Sequence, residues 1–402
     1  MISTAFNTEP SEDLKKKEKK RKKNEESRSW ITRLWHFNWF TPIYIYWFVF
    51  GLLCLRKTSR AINSNKYVKE HQHQVSQAAL ESSPRFHHFL SVLDEMDKPP
   101  AILILNQYAI NMTYNYLCNT ADLSGVHDRL IFVTLDKVAA DSLRRTWPHI
   151  KQFHWPTPAL YDRFSFAEGP YQLVYLLRAN LATLLIKHGR SFWMMQQDTF
   201  WRDNLFELDL ESEGNYDMLF DQLADSEDSP RAEILNGANF YVRANNRTLQ
   251  YFNRVAERLK HWYTADVAIM FHQCYTRKDN ESRCEYLPFN VAHNWQWIYS
   301  EQKNPPYIIQ LDCETNYGTK LDTLASYGFN FTMADRITCN PAAVKETRRR
   351  AITGSLDARV TKQSWGRFTF KVYYIITDWS FWLFPFVKPY MGLMAFCIMV
   401  TF

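Results

Sequence analysis

The stretch Arg190–Glu207, RSFWMMQQDTFWRDNLFE, decides the reading of this chain. An apolar strand, Phe192 to Met195, runs into a polar tip, Gln196-Gln197-Asp198, and then into Thr199-Phe200-Trp201. Open α/β sheets gather ligand chemistry at the carboxyl ends of their strands. An acid at such an end can bridge Mg2+ or Mn2+ to a diphosphate. A strand-end Asp that merely caps a turn is the competing reading of the tip by itself. The flanking sequence has to separate the two.

Just upstream lies the clearest helix of the chain. Pro170 sits near its start and Gly189 just past its end, the favoured asymmetry. Leu173, Leu176, Leu177, Leu181, Leu184 and Leu185 fall on one helical face. Further upstream, Ala101–Leu105 (AILIL) and Leu130–Leu135 (LIFVTL) are short apolar runs suited to buried strands. Helices are expected over Tyr108–Leu117 and Lys137–Arg145. Downstream, strands are expected at Asp217–Phe220 and Phe240–Val242, and a helix from Arg247 to about Trp262. This alternation predicts an α/β fold with a mostly parallel sheet flanked by helices.

With 402 residues, 46% of them apolar, the chain can bury a large core and is not of the disordered class. The net charge of +6 is unevenly spread. Lys15–Lys23 carries eight basic residues and one Glu, and Lys345–Lys371 carries eight Lys or Arg against Glu346 and Asp357. Basic and aromatic residues do not interleave as in a nucleic-acid platform, so no nucleic-acid partner is expected. Trp35–Leu55 has no formally charged residue apart from His36 and has aromatic ends, which predicts a membrane-spanning signal anchor. Lys and Arg are denser before it than after it, which puts the N-terminus in the cytosol and the bulk of the chain across the membrane. The expected organisation is a basic cytosolic tail (1–34), an N-terminal transmembrane helix (35–55), a polar stalk (56–98), a lumenal domain (99–345) and a C-terminal segment (346–402). That last segment is basic, then apolar and aromatic, and is interrupted by Asp378, Pro385, Lys388 and Pro389. It reads as interfacial or packed rather than as a second span.

Four sequons, at Asn111, Asn246, Asn280 and Asn330, all follow the apolar segment, as a lumenal location requires. Of the cysteines in that region, Cys274 with Cys284 and Cys313 with Cys339 are the expected local disulfides, leaving Cys118 free. Free buried thiols are the alternative.

Several residues could carry chemistry. Asp198 is the expected metal ligand, and His293, the last histidine of the chain, is a candidate additional one through its imidazole, with a satisfied structural histidine as the favoured alternative because no spacing supports a lone His. Gln196 cannot carry charge and is expected to hydrogen-bond the donor. Asn236 and Asn239 flank Gly237 and offer amides to sugar hydroxyls. Asp266 reads either as a helix cap or as a carboxylate over a sugar. Arg178 on the leucine-rich helix and Lys320 after Tyr317-Gly318-Thr319 are expected to reach phosphates, with a solvated helix face as the alternative for Arg178.

The order of these elements resembles the nucleotide-diphospho-sugar transferase domain family, in its nematode-type branch. The resemblance rests on Met112–Thr120, Leu173–Gly189, the Gln196–Asp198 tip, Leu235–Arg243, Ala265-Asp266, Asn294-Trp295-Gln296-Trp297 and Gln310-Leu311-Asp312, and covers roughly residues 100 to 340. It implies a GT-A-like, Rossmann-type fold and a type II membrane glycosyltransferase of the Golgi or ER. It also implies a nucleotide-sugar donor, a glycan or glycoprotein acceptor and a divalent metal on Asp198. The family's Asp-x-Asp element has Gln196 in its first position here. The alternative reading is a non-catalytic, lectin-like or scaffolding membrane protein on the same fold.

Overall fold

The computed structural model describes residues 40–311 apart from 213, 225 and 279–280, together with 320–356, 364–390, 392–393 and the isolated positions 16, 19 and 20. Ten strands are described: β1 Ala101–Leu105, β2 Leu130–Thr134, β3 Lys151–His154, β4 Phe192–Met194, β5 Thr199–Trp201, β6 Met218–Gln222, β7 Leu235–Val242, β8 Cys284–Tyr286, β9 Ala292–Asn294 and β10 Ile308–Gln310. Seven form one sheet in the order β3-β2-β1-β4-β7-β6-β8, and β5-β10-β9 form a second. In the large sheet β1, β2, β3 and β4 pair in parallel, as do β6 and β8. β7 lies antiparallel between β4 and β6. The fold is therefore α/β with a mostly parallel sheet between helices.

Both faces of the large sheet are covered, which is why its strands are continuous apolar runs. Their side chains alternate between two cores. Ile102, Ile131, Val133, Phe192, Met194, Phe220, Phe240 and Val242 pack on the side of the Gly169–Lys187 helix. Leu103, Phe132, Trp193, Leu219 and Tyr241 pack on the other side, against Tyr114, Leu117 and Leu143. The Gly169–Lys187 helix is buried on nearly every face from Leu173 to Ile186, rather than on the single leucine face its sequence suggests. A third core, with Phe200, Ile309, Phe329 and Phe331, supports the small sheet.

Residues 60–98 of the expected stalk (56–98) pack onto the domain. Short helices at Gln77–Glu81 and Pro84–Asp94 bury Leu80, Phe86, Phe89 and Leu93, and Val68 and Val75 join the same core. Asn180 donates to the Val75 carbonyl at 2.9 Å, and Trp155 to that of Gln74 at 3.0 Å. A Cβ on Gly169 would lie 2.5 Å from that of Tyr67, so this helix start fits only because glycine stands there. A handful of apolar side chains at helical spacing outweighs the polar composition of the segment.

The Phe40–His71 helix contains residues 40–55 of the expected membrane anchor, while 35–39 lie outside the described residues. Among the described residues no helix is long and apolar enough to cross a membrane. In the C-terminal segment, the Ser364–Leu383 helix turns Asp378 onto Arg231 at 3.0 Å, and Lys388 donates to the Ala232 carbonyl at 2.7 Å. Ile375, Ile376, Trp379, Trp382, Phe384 and Phe386 remain exposed.

Cys274 and Cys284 are bonded, as expected. Cys339 is bonded to Cys118, not to Cys313, which lies outside the described residues. Proximity in sequence misled here: Phe331 donates its amide to Asn115 and Asn115 donates to the Phe329 carbonyl, which draws the segment before Cys339 onto the helix bearing Cys118. The Cys118–Cys339 bridge closes a separation of 221 residues. By the chain-entropy estimate such a closure stabilises by at most about 5 kcal/mol. Non-reducing peptide mapping should recover a Cys118–Cys339 peptide, and Cys118→Ala with Cys339→Ala should lower the melting temperature by several degrees; a Cys313–Cys339 peptide would contradict the fold.

Candidate active site

β4 ends at Met194, and the chain passes through Gln196, Gln197 and Asp198 before turning into β5. β5 pairs with β10, so the tip is held between the large and small sheets. Asn239 on β7 fixes it. Its Nδ2 donates to Gln310 Oε1 at 2.9 Å and to Asp221 Oδ2 at 3.2 Å. Its Oδ1 accepts from the Gln196 amide at 3.5 Å and lies 3.3 Å from Thr199 Oγ1. Thr199 also donates to Gln310 Oε1 at 2.6 Å, and Gln310 Nε2 reaches Gln196 Oε1 at 3.4 Å. Asn239 is completely buried, and such a network is costly to break because each group would be left dry and unpaired.

Asp198 is buried and ion-paired through Oδ2 with Lys320 Nζ. Its main-chain carbonyl accepts from the Leu311 amide at 2.9 Å. Burial alone would raise the carboxyl pKa. The Lys320 charge and hydrogen bonds from Lys320 and Gln310 outweigh burial and hold it below the ordinary value. Lys320 opens the short Lys320–Ser326 helix; the Tyr317-Gly318-Thr319 loop before it, like Asp312, lies outside the described residues.

A second ion pair joins the leucine-rich helix to the helix that opens at Asp266. Arg178 Nη1 lies 3.2 Å from Asp266 Oδ2, both side chains being buried, and Arg178 Nη2 donates to the Gly237 carbonyl at 3.0 Å. Arg178 is thus neither on a solvated helix face nor directed at solvent. Burial raises the Asp266 carboxyl, opposed by the Arg178 charge and the Val267 amide. Asp266 is the first residue of its helix, following Ala265 at the cap. Gly237 has φ +68°, and a Cβ there would meet Val267 Cγ2 at 2.5 Å. Glycine therefore lets β7 press against the helix that carries Asp266. Asn236 precedes it, and its Nδ2 is buried without a partner among the described residues.

The Tyr171 hydroxyl lies within electrostatic reach of Lys320, Asp198, Arg178 and Asp266. Burial pushes that hydroxyl pKa up. Its ring packs on Tyr175 at 5.1 Å. Tyr171, Tyr175 and Arg178 share one stripe of the leucine-rich helix at i, i+4 and i+7. That spacing was readable in the sequence but was hidden under the leucine pattern.

His293 belongs to the small sheet. It is buried in β9, where its Nδ1 accepts the Asn294 amide at 2.9 Å and its ring lies 4.9 Å from that of Phe289. The β9–β10 register pairs His293 with Ile309 and Asn294 with Gln310, so its side chain takes the face opposite to Gln310. Trp297 is likewise structural, donating to the Lys303 carbonyl at 2.9 Å.

Asp312 and Glu314, which follow Leu311 beside the Asp198 tip, lie outside the described residues. Among the described residues no three His, Cys, Asp or Glu side chains group to hold an ion. Gln196 is neutral and bonded to Gln310, and an ammonium already sits on Asp198. A dication about 4 Å from that ammonium would be repelled by roughly 8 kcal/mol at an effective dielectric of ~20.

Residues 125–324 match the nucleotide-diphospho-sugar transferase family. No curated protein matches the chain. Similar solved structures include the bifunctional glycosyltransferase WbbM, with 12% identity over 55% of this chain and 47% of that one, at a TM-score of 0.38. GlyE from Streptococcus pneumoniae TIGR4 is 9% identical over 63% of this chain and 65% of its own, at 0.40. The galactosyltransferase LgtC is 9% identical over 66% and 98%, at 0.39. The chain thus spans less than two thirds of the first two, and likenesses this distant carry no argument about chemistry.

Removing Arg178 would strand a buried carboxylate, so Arg178→Met should destabilise by about 3–5 kcal/mol. Adding Asp266→Leu should recover much of that loss, as read from urea-unfolding midpoints; strictly additive losses would show that the two residues are not coupled.

Proposed function

From a chain whose residues 125–324 form a nucleotide-diphospho-sugar transferase domain, we propose an enzyme that moves a sugar from a nucleotide-diphospho-sugar to a hydroxyl of a glycan or glycoprotein. The observation that carries this is the buried Asp198 that follows β4 at the carboxyl end of the sheet and is ion-paired with the partly exposed Lys320. Lys320, whose side chain is 39% exposed while that of Asp198 is 5% exposed, is the cation an incoming diphosphate meets first. Asp198 aims it. Arg178 and Asp266 brace β7 through Gly237, and so hold Asn236 and Asn239 at the edge of the donor site. Gln196 and Asn239 serve through the network that fixes the tip, with Asn236 offering its amide to a sugar hydroxyl.

The purified chain should release nucleoside diphosphate from one nucleotide-sugar donor when an acceptor glycan is supplied. Asp198→Asn should lower that rate about 100-fold or more with the fold intact by circular dichroism. An unchanged rate in the variant would remove the tip from the chemistry. Binding of glycan with no turnover of any donor would favour the lectin-like reading.

We further propose a type II membrane protein of the Golgi or ER. Its support is the exposed apolar run from Ile43 to Leu55, the basic residues ahead of it and the two disulfides. Asn111, Asn246 and Asn330 are exposed, as glycan acceptors must be; Asn280 lies outside the described residues. The exposed aromatic face of the Ser364–Leu383 helix suits a membrane interface, its charges Asp378 and Lys388 being turned to the protein. In sealed microsomes, protease should spare residues 60–345 and trim the N-terminal tail; cleavage within the domain would reverse the topology.

A further inference from the structure

We propose that His127 and His149 together bind a divalent transition ion such as Zn2+ or Cu2+, at the end of the sheet opposite Asp198. The two rings come from different elements. His127 lies on the short helix Val126–Arg129 that leads into β2, and His149 in the turn that leads into β3. Both stand at the amino ends of strands that run parallel, through β1, to β4. The Asp198 tip follows the carboxyl end of β4, so this site is independent of the transferase reading.

His127 Nδ1 and His149 Nε2 are 3.2 Å apart. An ion bonded to both at about 2.0–2.1 Å would hold them at an angle of about 100°, near the tetrahedral value. The other nitrogen of His127 is already committed. Its Nε2 lies 3.0 Å from Thr120 Oγ1. That hydroxyl has one hydrogen, which goes to the Tyr116 and Leu117 carbonyls at 3.1 and 3.3 Å. Nε2 is therefore the donor, and Nδ1 keeps the lone pair that a metal needs. Ligating histidines are ordinarily oriented in this way, by a fixed acceptor on the second nitrogen. The Trp147 ring lies against both imidazoles, at 5.5 and 5.6 Å, and His149 is exposed, so its ring can turn to admit the ion.

Asp128 lies within electrostatic reach of His127 and favours a cation there, while Lys151, 2.7 Å from the Asp128 carbonyl, opposes it. Among the described residues no third His, Cys, Asp or Glu completes a cluster, so water fills the remaining positions of the ion. Two imidazoles suit Zn2+ or Cu2+, whereas Mg2+ and Ca2+ require oxygen ligands. On binding, the ion accepts the lone pairs of His127 Nδ1 and His149 Nε2. The proton that joined the two nitrogens passes through solvent to His149 Nδ1, so both rings stay neutral and nothing is oxidised. The ion then ties the Val126–Arg129 helix to the turn ahead of β3, and links stability to the supply of metal.

The test is thermal unfolding of the full chain, stripped with EDTA, with and without Zn2+. At about 100 times its Kd, Zn2+ should raise the melting temperature by roughly 4 °C. His149→Ala, at an exposed position, should abolish that shift and leave melting in EDTA unchanged. In calorimetric titration, Thr120→Val should weaken Zn2+ binding about tenfold, because His127 then loses the acceptor that fixes its tautomer. Cu2+ should bind the unmodified chain more tightly than Zn2+ does. A Zn2+ shift of equal size in the unmodified chain and in His149→Ala overturns the assignment. So does the absence of a shift in the unmodified chain, or an equal response to Mg2+.

Discussion

The arrangement depends on one buried amide. Asn239 joins β7 of the large sheet to β6 through Asp221, to β10 through Gln310, and to the end of β4 through the Gln196 main chain. The two sheets meet at that side chain, and Asn294 of β9 adds a second polar tie by donating to the Gln222 and Ala224 carbonyls. An apolar residue of equal size would pack, but would leave Gln310, Asp221 and Thr199 to find other partners in a dry environment. The tip is therefore set by hydrogen-bond geometry from behind, while the charged groups in front are free to be chosen for chemistry.

The elements that build the frame were legible because apolar periodicity is a local property. Ala101–Leu105 is a strand at the expected bounds, and the helix ahead of the tip runs Gly169–Lys187 between its proline and glycine signals. The tip itself was found for the same reason. Partnerships across the chain were not legible. Arg178 and Asp266 were each picked out, but nothing in their spacing says that they neutralise each other rather than a substrate. Asp221 and Tyr171 carried no motif and Gln310 carried no role, and their importance arises only when β7 is inserted between β4 and β6.

Two errors share one cause. Residues 56–98 look like a stalk by composition, and Cys313 looks like the mate of Cys339 by distance along the chain. Composition and contour length describe the unfolded chain. Phe86, Phe89 and Leu93 bury themselves all the same, because a few large apolar groups at helical spacing repay the ordering of a polar segment. Cys118 is chosen because Asn115, one turn before it, clasps the Phe329–Phe331 backbone.

The Cys118–Cys339 bridge also imposes an order of events on synthesis. Every strand of both sheets after β1 lies between the two cysteines, the last ending at Gln310. A nascent chain can thus assemble its whole β framework before the second thiol has left the ribosome. The clasp comes last and fastens a finished object, so an oxidant acting too early would find Cys118 with only wrong neighbours to join.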